Sequence, residues 1–565
     1  PCLGVHLSEN GDESFACDET ITMQGNDNPN AIVKFRVEST SVPARDVDLV
    51  AQGLEGTQAI QDLENSVRLV EGKRTFVRLH TFARKDTDAS TTARLFVRRA
   101  GTSGVTALDP IHGTESIKVA TNPRRDMLTD SFLWELPSEF TSGEVEMWAE
   151  VNPITEARSR HPIESDYDNN TASASVRFET VPTIDITMVL VGLGDRNNPD
   201  YPPEEHITKN ELYLESLFPV SEVNVASDTY VHGGKPNCAQ VNLRLRNKVV
   251  WDTYSSRFTS ADPSPGSRRY LALTTGLKDD TGCASGIPSF TASSTDSGNT
   301  NHAAHELGHA YGEYHLEVCD ADAGWWIFDP WWVPDYPYAD GHISSDFSTR
   351  GFYGLDDTPL DDTIPRVIPP YHYDLMGYCH PRWISDFRYE RLMNYLQSAD
   401  RAADVSPAVD ATVLKPHIVV VSSIHPLTFE VEFEPLFVLP DVPESTAPRT
   451  GDFAIVLFDR TGLELARYPF DPSRMADEDL WAVTELVPYV DGTGFVVIEG
   501  PPGALVTIPV SPNSPTISVG SPVTGGGTNG DAVRVSWTAT DADGDALRFV
   551  VQDSSANGET GRTVA

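Results

Sequence analysis

The chain has 565 residues, of which 39% are hydrophobic and 22% charged. At roughly 100–200 residues per domain, this is globular composition spread over about three to five domains. Its 42 Lys and Arg stand against 83 Asp and Glu, a net charge of −41, which excludes non-specific binding to nucleic acid or to an anionic membrane, since both need a positive field. No apolar run approaches the roughly 18–20 residues that would cross a bilayer. Pro1 opens the chain with no signal-peptide pattern before it, as expected of a mature or trimmed protein. The last β segment breaks off, so a longer native protein is expected.

Taken in chain order, residues 1–182 predict an antiparallel β-sandwich. Short, partly alternating runs such as 75–84, 93–100 and 144–151 are separated by Gly, Pro, Asn and Asp. The pattern changes at Ile184. The run 184–191 is almost wholly apolar, as in a strand buried on both faces. Helical spacing at 209–218 and 240–254 then alternates with predicted strands at 220–225 and 270–275. Such alternation predicts an α/β layer with a mostly parallel sheet over 183–400. A linker rich in Ala, Asp and Pro leads into a β domain, 401–512, with predicted strands at 418–422, 427–433, 453–458 and 494–498. A Pro/Ser/Gly-rich stretch opens the last segment, 513–565, which predicts a partial Ig-like or fibronectin-like β domain.

Six cysteines, with no CxxC among them, argue against a zinc ribbon and suit an oxidising compartment. Sequence proximity favours Cys2 with Cys17.

The chemistry is concentrated in His305-Glu306-Leu-Gly-His309-Ala-Tyr-Gly312-Glu-Tyr-His315. On a helix, His305 and His309 lie one turn apart on one face, so both imidazoles can reach one Zn²⁺. Glu306 is placed beside the metal, where it can take a proton from water. Gly312 tolerates the left-handed conformation that ends a helix, and the turn brings His315 back as third ligand. Three protein ligands leave a fourth position open, as a catalytic zinc requires.

This eleven-residue pattern, HExxHxxGxxH, resembles that of the metzincin clan of zinc metallopeptidases. The resemblance covers about 184–400. It implies a Met-turn, for which Tyr373-Asp-Leu-Met376-Gly-Tyr378 is the candidate, with Met376 packed beneath the metal. It implies that Tyr378 contacts the metal and then stabilises the reacting oxyanion. It makes Gly282-Cys-Ala284 an edge strand that pairs with an extended peptide, with Gly282 and Ala284 binding substrate. It also implies disulfides Cys238–Cys283 and Cys319–Cys379. Leu316 after His315 departs from several branches, and no calcium-binding nonapeptide repeats follow, so no subfamily is assigned.

Two weaker signals remain. The tryptophan-rich stretch 324–332, with Trp325 and Trp326, suggests contact with substrate or with its sugars. Asp541-Ala-Asp543-Gly-Asp545 suggests a structural Ca²⁺ loop. The combined expectation is a multidomain chain with an α/β metzincin-like zincin catalytic domain between antiparallel, Ig-like β-sandwich domains. It is expected to be a secreted, monomeric zinc endopeptidase acting on protein or glycoprotein, including mucin-like substrates. The competing class is an extracellular adhesion or glycan-binding protein whose zinc is structural.

Overall fold

The computed structural model of the chain describes residues 5–7, 13–15, 47–85, 90–111, 113–154, 162–256, 268–278, 282–296, 300–316, 318, 333, 335–358, 365–403, 414–444, 449–521, 536–544, 547, 549, 552–555 and 560–563. It divides into two compact units: Pro1–Glu179 with Ser348–Gly351 and Asp362–Val367, and Thr180–Phe347 with Phe352–Asp361 and Ile368–Ala565.

In the first unit, Leu49–Thr57, Phe76–Ala83 and Ser131–Glu135 form a three-stranded antiparallel sheet. A five-stranded sheet carries Leu69–Val70, Thr171–Glu179, Glu144–Val151, Ala93–Arg99 and Thr106–Leu108. Period-2 alternation explains why these segments become strands: Val145, Met147, Ala149 and Val151 are buried, while Glu146, Trp148 and Glu150 between them are partly exposed. Their buried side chains join Leu54, Leu79, Phe132 and Trp134 of the smaller sheet in one apolar core.

Beside that core lies a buried ionic cluster. Glu55 Oε1 is 3.0 Å from Arg125 Nη2, and Glu55 Oε2 is 2.6 Å from His80 Nε2. Burial, helped by the charges of Arg78 and Arg125, pushes His80 down to about 4, although Glu55 pulls the other way. His80 is thus neutral in the folded state, and the unfolded chain binds its proton first. Stability is therefore expected to be full above the unfolded value near 6.5 and to fall as pH drops from there towards 4, by up to about 3 kcal/mol. Denaturant melts at pH 4.5 and 7.5 measure this, and His80→Gln should flatten the difference.

The second unit contains the candidate site. Strand β1 (Ile184–Asp195) runs parallel to β2 (Val223–His232) on one side and to β3 (Arg269–Thr274) on the other. Next to β3 lies β5 (Thr291–Thr295), also parallel, and β4 (Cys283–Ala284) closes the edge antiparallel to β5. Helices α1 (Glu205–Leu217), α2 (Cys238–Ser256), α3 (Thr300–Ala310) and α4 (Asp386–Ala403) accompany this sheet. A β-sandwich follows, with β6 (Leu414–Ile424), the short β7 (Ser473–Arg474) and β8 (Trp481–Pro488) in one of its sheets.

Helix α2 is apolar on two faces. Val241 and Leu245 join the cluster under the mixed sheet, whereas Leu243 and Val250 pack with Val419, Val421, Leu439 and Val442 of the sandwich. Arg246, fully buried, donates to Ser422 O and Val483 O at 2.9 and 2.8 Å.

The expected α/β zincin core, as a fold class, is corrected. Strands take 44% of the described residues against 15% in helices, and they are spread over many small sheets. The chain is a mostly-β multidomain protein, and only the expectation of β-rich flanks agrees with it. Among the described residues, strand–helix alternation is confined to 184–310, and those between 335 and 385 form turns and strands of two to four residues. Locally, the expected strand 427–433 survives only as Val431–Phe433. His425 Nδ1 accepts from Leu427 N and Thr428 N, and Phe429 takes φ 58°, so a turn replaces its first half.

No described helix is long and apolar enough to cross a membrane.

Candidate metal centre

Helix α3 carries His305, Glu306 and His309, all buried. Its end is fixed by backbone bonds from Glu313 N to Gly308 O and from Gly312 N to His309 O, both 2.9 Å, with Gly312 at φ 94°. This paired closure needs a left-handed residue, which glycine adopts without a Cβ clash. The turn brings His315 back over the helix: its Nε2 lies 3.2 Å from His305 Nε2 and 2.9 Å from His309 Nε2. A tetrahedral ion with bonds of about 2.0–2.1 Å would hold such nitrogens about 3.3 Å apart.

The ring assignments favour a cation there. His309 Nδ1 is 2.7 Å from Glu313 O. A carbonyl only accepts, so that nitrogen carries the proton and Nε2 presents a lone pair. His305 Nδ1 lies 2.9 Å from Leu375 O, and the consistent assignment is the same. Arg382 Nη1 stands 3.2 Å from His305 Nδ1 while donating to Gly377 O at 3.0 Å. Burial first, then the neighbouring imidazoles, keeps His305 and His309 below the ordinary histidine value, hence neutral and ready to ligate.

Below the imidazoles, Asp374–Gly377 is a tight turn in which Gly377 N donates to Asp374 O at 3.0 Å. Met376 is buried, and Leu316 N donates to its carbonyl at 3.2 Å. A Cβ on Gly308 would stand 2.6 Å from Met376 Sδ, so the glycine inside the helix makes room for the methionine. Arg388 of α4 ties the two turns together. It pairs with Glu313, donates to Asp374 Oδ1 at 3.1 Å and to Tyr314 O at 2.6 Å.

Glu306 lies under the edge strand. A Cβ on Gly282 would fall 2.6 Å from Glu306 Oε1, and Glu306 Oε2 has no hydrogen-bond partner. Burial, then the charge of Asp477, raises Glu306 well above the usual carboxylate range, with Arg382 opposing.

Asp477 was not foreseen. It lies in the loop between β7 and β8, with φ 60°. Its Oδ1 is 3.1 Å from His315 Nε2, and its Oδ2 is 3.2 Å from His309 Nε2. Among the described residues, His305, His309, His315 and Asp477 form a four-member group that could hold one metal ion. Burial alone would raise the Asp477 carboxyl, but His315 and His309 together hold it well below its ordinary value. Tyr378 donates to Asp477 Oδ1 at 2.6 Å, with its hydroxyl 3.0 Å from His315 Nε2. Desolvation of its hydroxyl, then the charge of Asp477, keeps this phenol protonated, although Tyr378 as a whole is 42% exposed. No sequence signal marked Asp477, because Met-Ala-Asp-Glu-Asp at 475–479 reads as an ordinary acidic hairpin loop.

Cys238 and Cys283 form a disulfide joining α2 to the edge strand. Cys379 is disulfide-bonded as well; its expected partner Cys319 lies outside the described residues, as do Cys2, Cys17, Trp325, Trp326 and Asp545. Of the expected Ca²⁺ loop, Asp543 Oδ2 accepts from Asn513 N at 2.9 Å and Oδ1 from Asn513 Nδ2 at 2.8 Å, so its carboxylate staples a turn.

No family model matches the chain, and no curated protein matches it. Among solved structures, the CARDB domain of a Pyrococcus furiosus protein in complex with di-metal ions is 16% identical. It covers 24% of this chain and 96% of its own, with a TM-score of 0.14. A beta-glycosidase from Bacteroides vulgatus is 10% identical, covering 89% of this chain and 71% of its own, with a TM-score of 0.13. At these scores neither likeness assigns a fold or an activity, and the metal site rests on its own geometry.

Proposed function

We propose that the chain is a secreted zinc endopeptidase with a metzincin-like site, cutting extended segments of extracellular proteins. One observation carries the reading: Glu306 stands buried, with one oxygen unpartnered, between three converging imidazoles and an edge strand. His305, His309 and His315 would hold the ion. Zinc bound there supplies Lewis acidity towards water and a carbonyl. Glu306 accepts the proton of the attacking water and hands it to the leaving amine. Tyr378, once turned from Asp477, donates to the developing oxyanion. Ala284 offers its backbone to an extended substrate. The tryptophans that suggested glycan contact lie outside the described residues, so a preference for glycosylated substrate is left to comparison of one substrate before and after deglycosylation.

A second reading, an extracellular adhesion or glycan-binding protein with a structural metal, is favoured by Asp477. Three imidazoles and a carboxylate make the four protein ligands of a structural ion.

The test is metal analysis joined to an assay on unfolded casein. One zinc per chain is expected, with cleavage that stops on chelation and returns with added zinc. A chain that takes up no zinc, or that cleaves equally without it, overturns the proposal.

A further inference from the structure

We propose that the loop between β7 and β8 is a built-in blocker of the metal site, seated as a substrate would be and closing the site with Asp477. The inference rests on the peptidase reading and adds its regulation.

The loop is held in three ways. Met475 N donates to Leu480 O at 2.9 Å, which tightens the hairpin. Met475 and Ala482 are buried in the cluster that contains Val189, Cys238, Tyr270 and Cys283, with Leu480 packed against it. Ala476 N donates to Ala284 O at 2.9 Å. That carbonyl belongs to the edge strand and points away from β5, so it is the group an incoming extended peptide would use. One residue on, Asp477 turns into the left-handed region and sends its carboxylate between His309 and His315.

The consequences converge on one state. The carboxylate takes the position that a hydrolytic centre leaves for water. It also holds the Tyr378 hydroxyl, which is then unavailable to an oxyanion. The backbone at 476 occupies the edge. Substrate, water and phenol are excluded by six residues of the same chain.

The experiment uses the full chain loaded with Co²⁺ or Zn²⁺ and two variants, Asp477→Asn and Asp477→Gly. Both residues accept a left-handed φ, so neither substitution strains the backbone, while both remove the carboxylate that seats the loop on the imidazoles and so release the edge strand. Acetohydroxamate, a small bidentate metal ligand, is titrated against the cobalt protein and followed by its visible absorption. Apparent affinity scales with the open fraction, so Asp477→Gly is expected to bind the probe about 10–100-fold more tightly than the parent. Metal content should stay at one per chain, and casein cleavage should rise. Unchanged probe affinity overturns the blocker. Loss of the metal from both variants also overturns it, because Asp477 would then be a structural ligand. Tighter probe binding without any cleavage supports the blocker and instead sinks the peptidase reading.

Discussion

Glu306→Gln is expected to keep one metal ion per chain and to lose about 10²–10⁴-fold in kcat/KM, the usual contribution of a general base. The substitution keeps volume, so the packing against Gly282 is preserved. The three imidazoles that hold the ion are untouched. What disappears is the buried carboxylate beside the three imidazoles: burial first, then the charge of Asp477, raises Glu306 well above the ordinary carboxylate range, which makes it a stronger proton acceptor than an exposed glutamate. The comparison is best made in the Asp477→Gly background, where the site is open. A glutamine variant with full zinc and undiminished turnover would show that Glu306 is not the base.

Arg388→Met is expected to cost about 3–5 kcal/mol of stability, the penalty for breaking a buried ion pair by removing one partner. Arg388 is 1% exposed and faces the carboxylates of Glu313 and Asp374, themselves buried. Removing it leaves two negative charges in the interior with the guanidinium gone. Arg388→Lys should not restore the loss, since a point charge cannot serve Glu313, Asp374 and Tyr314 O at once. Glu313 also supplies the carbonyl that orients His309, so zinc affinity should fall along with the melting temperature. Thermal melts with and without zinc separate the two effects. A variant as stable as the parent would mean that the pairing contributes little.

The metal-binding cluster was legible in the sequence to the extent that chemistry is local. His305, Glu306, His309, Gly312 and His315 lie within eleven residues, and helix pitch plus one glycine turn decides where they point. Asp477 was illegible for the opposite reason. It arrives from a hairpin loop of another sheet, and nothing in its neighbours distinguishes it from a solvated turn. The fold class failed on weighting. The apolar runs 184–191 and 270–275 do lie on parallel strands, Ile184–Asp195 and Arg269–Thr274, but their pattern does not govern the whole stretch to 400. Among the described residues between 335 and 385, the turns around Gly341 and Asp374 leave strands of two to four residues instead of helices. Burial of Arg78, Arg246 and Arg388 was likewise out of reach, because a charged residue reveals its partners only after distant segments meet.

Helix α2 carries a consequence for the lineage of this chain. With one apolar face under the mixed sheet, another under the sandwich and Arg246 spent on two sandwich carbonyls, the stretch after residue 403 is no interchangeable accessory. It is the outer wall of the site's own scaffold. Shuffling that sandwich for another of similar shape would strip a helix of half its cover. The two parts are therefore bound to be inherited and diversified together, and a change on either side is felt as a packing defect in the other.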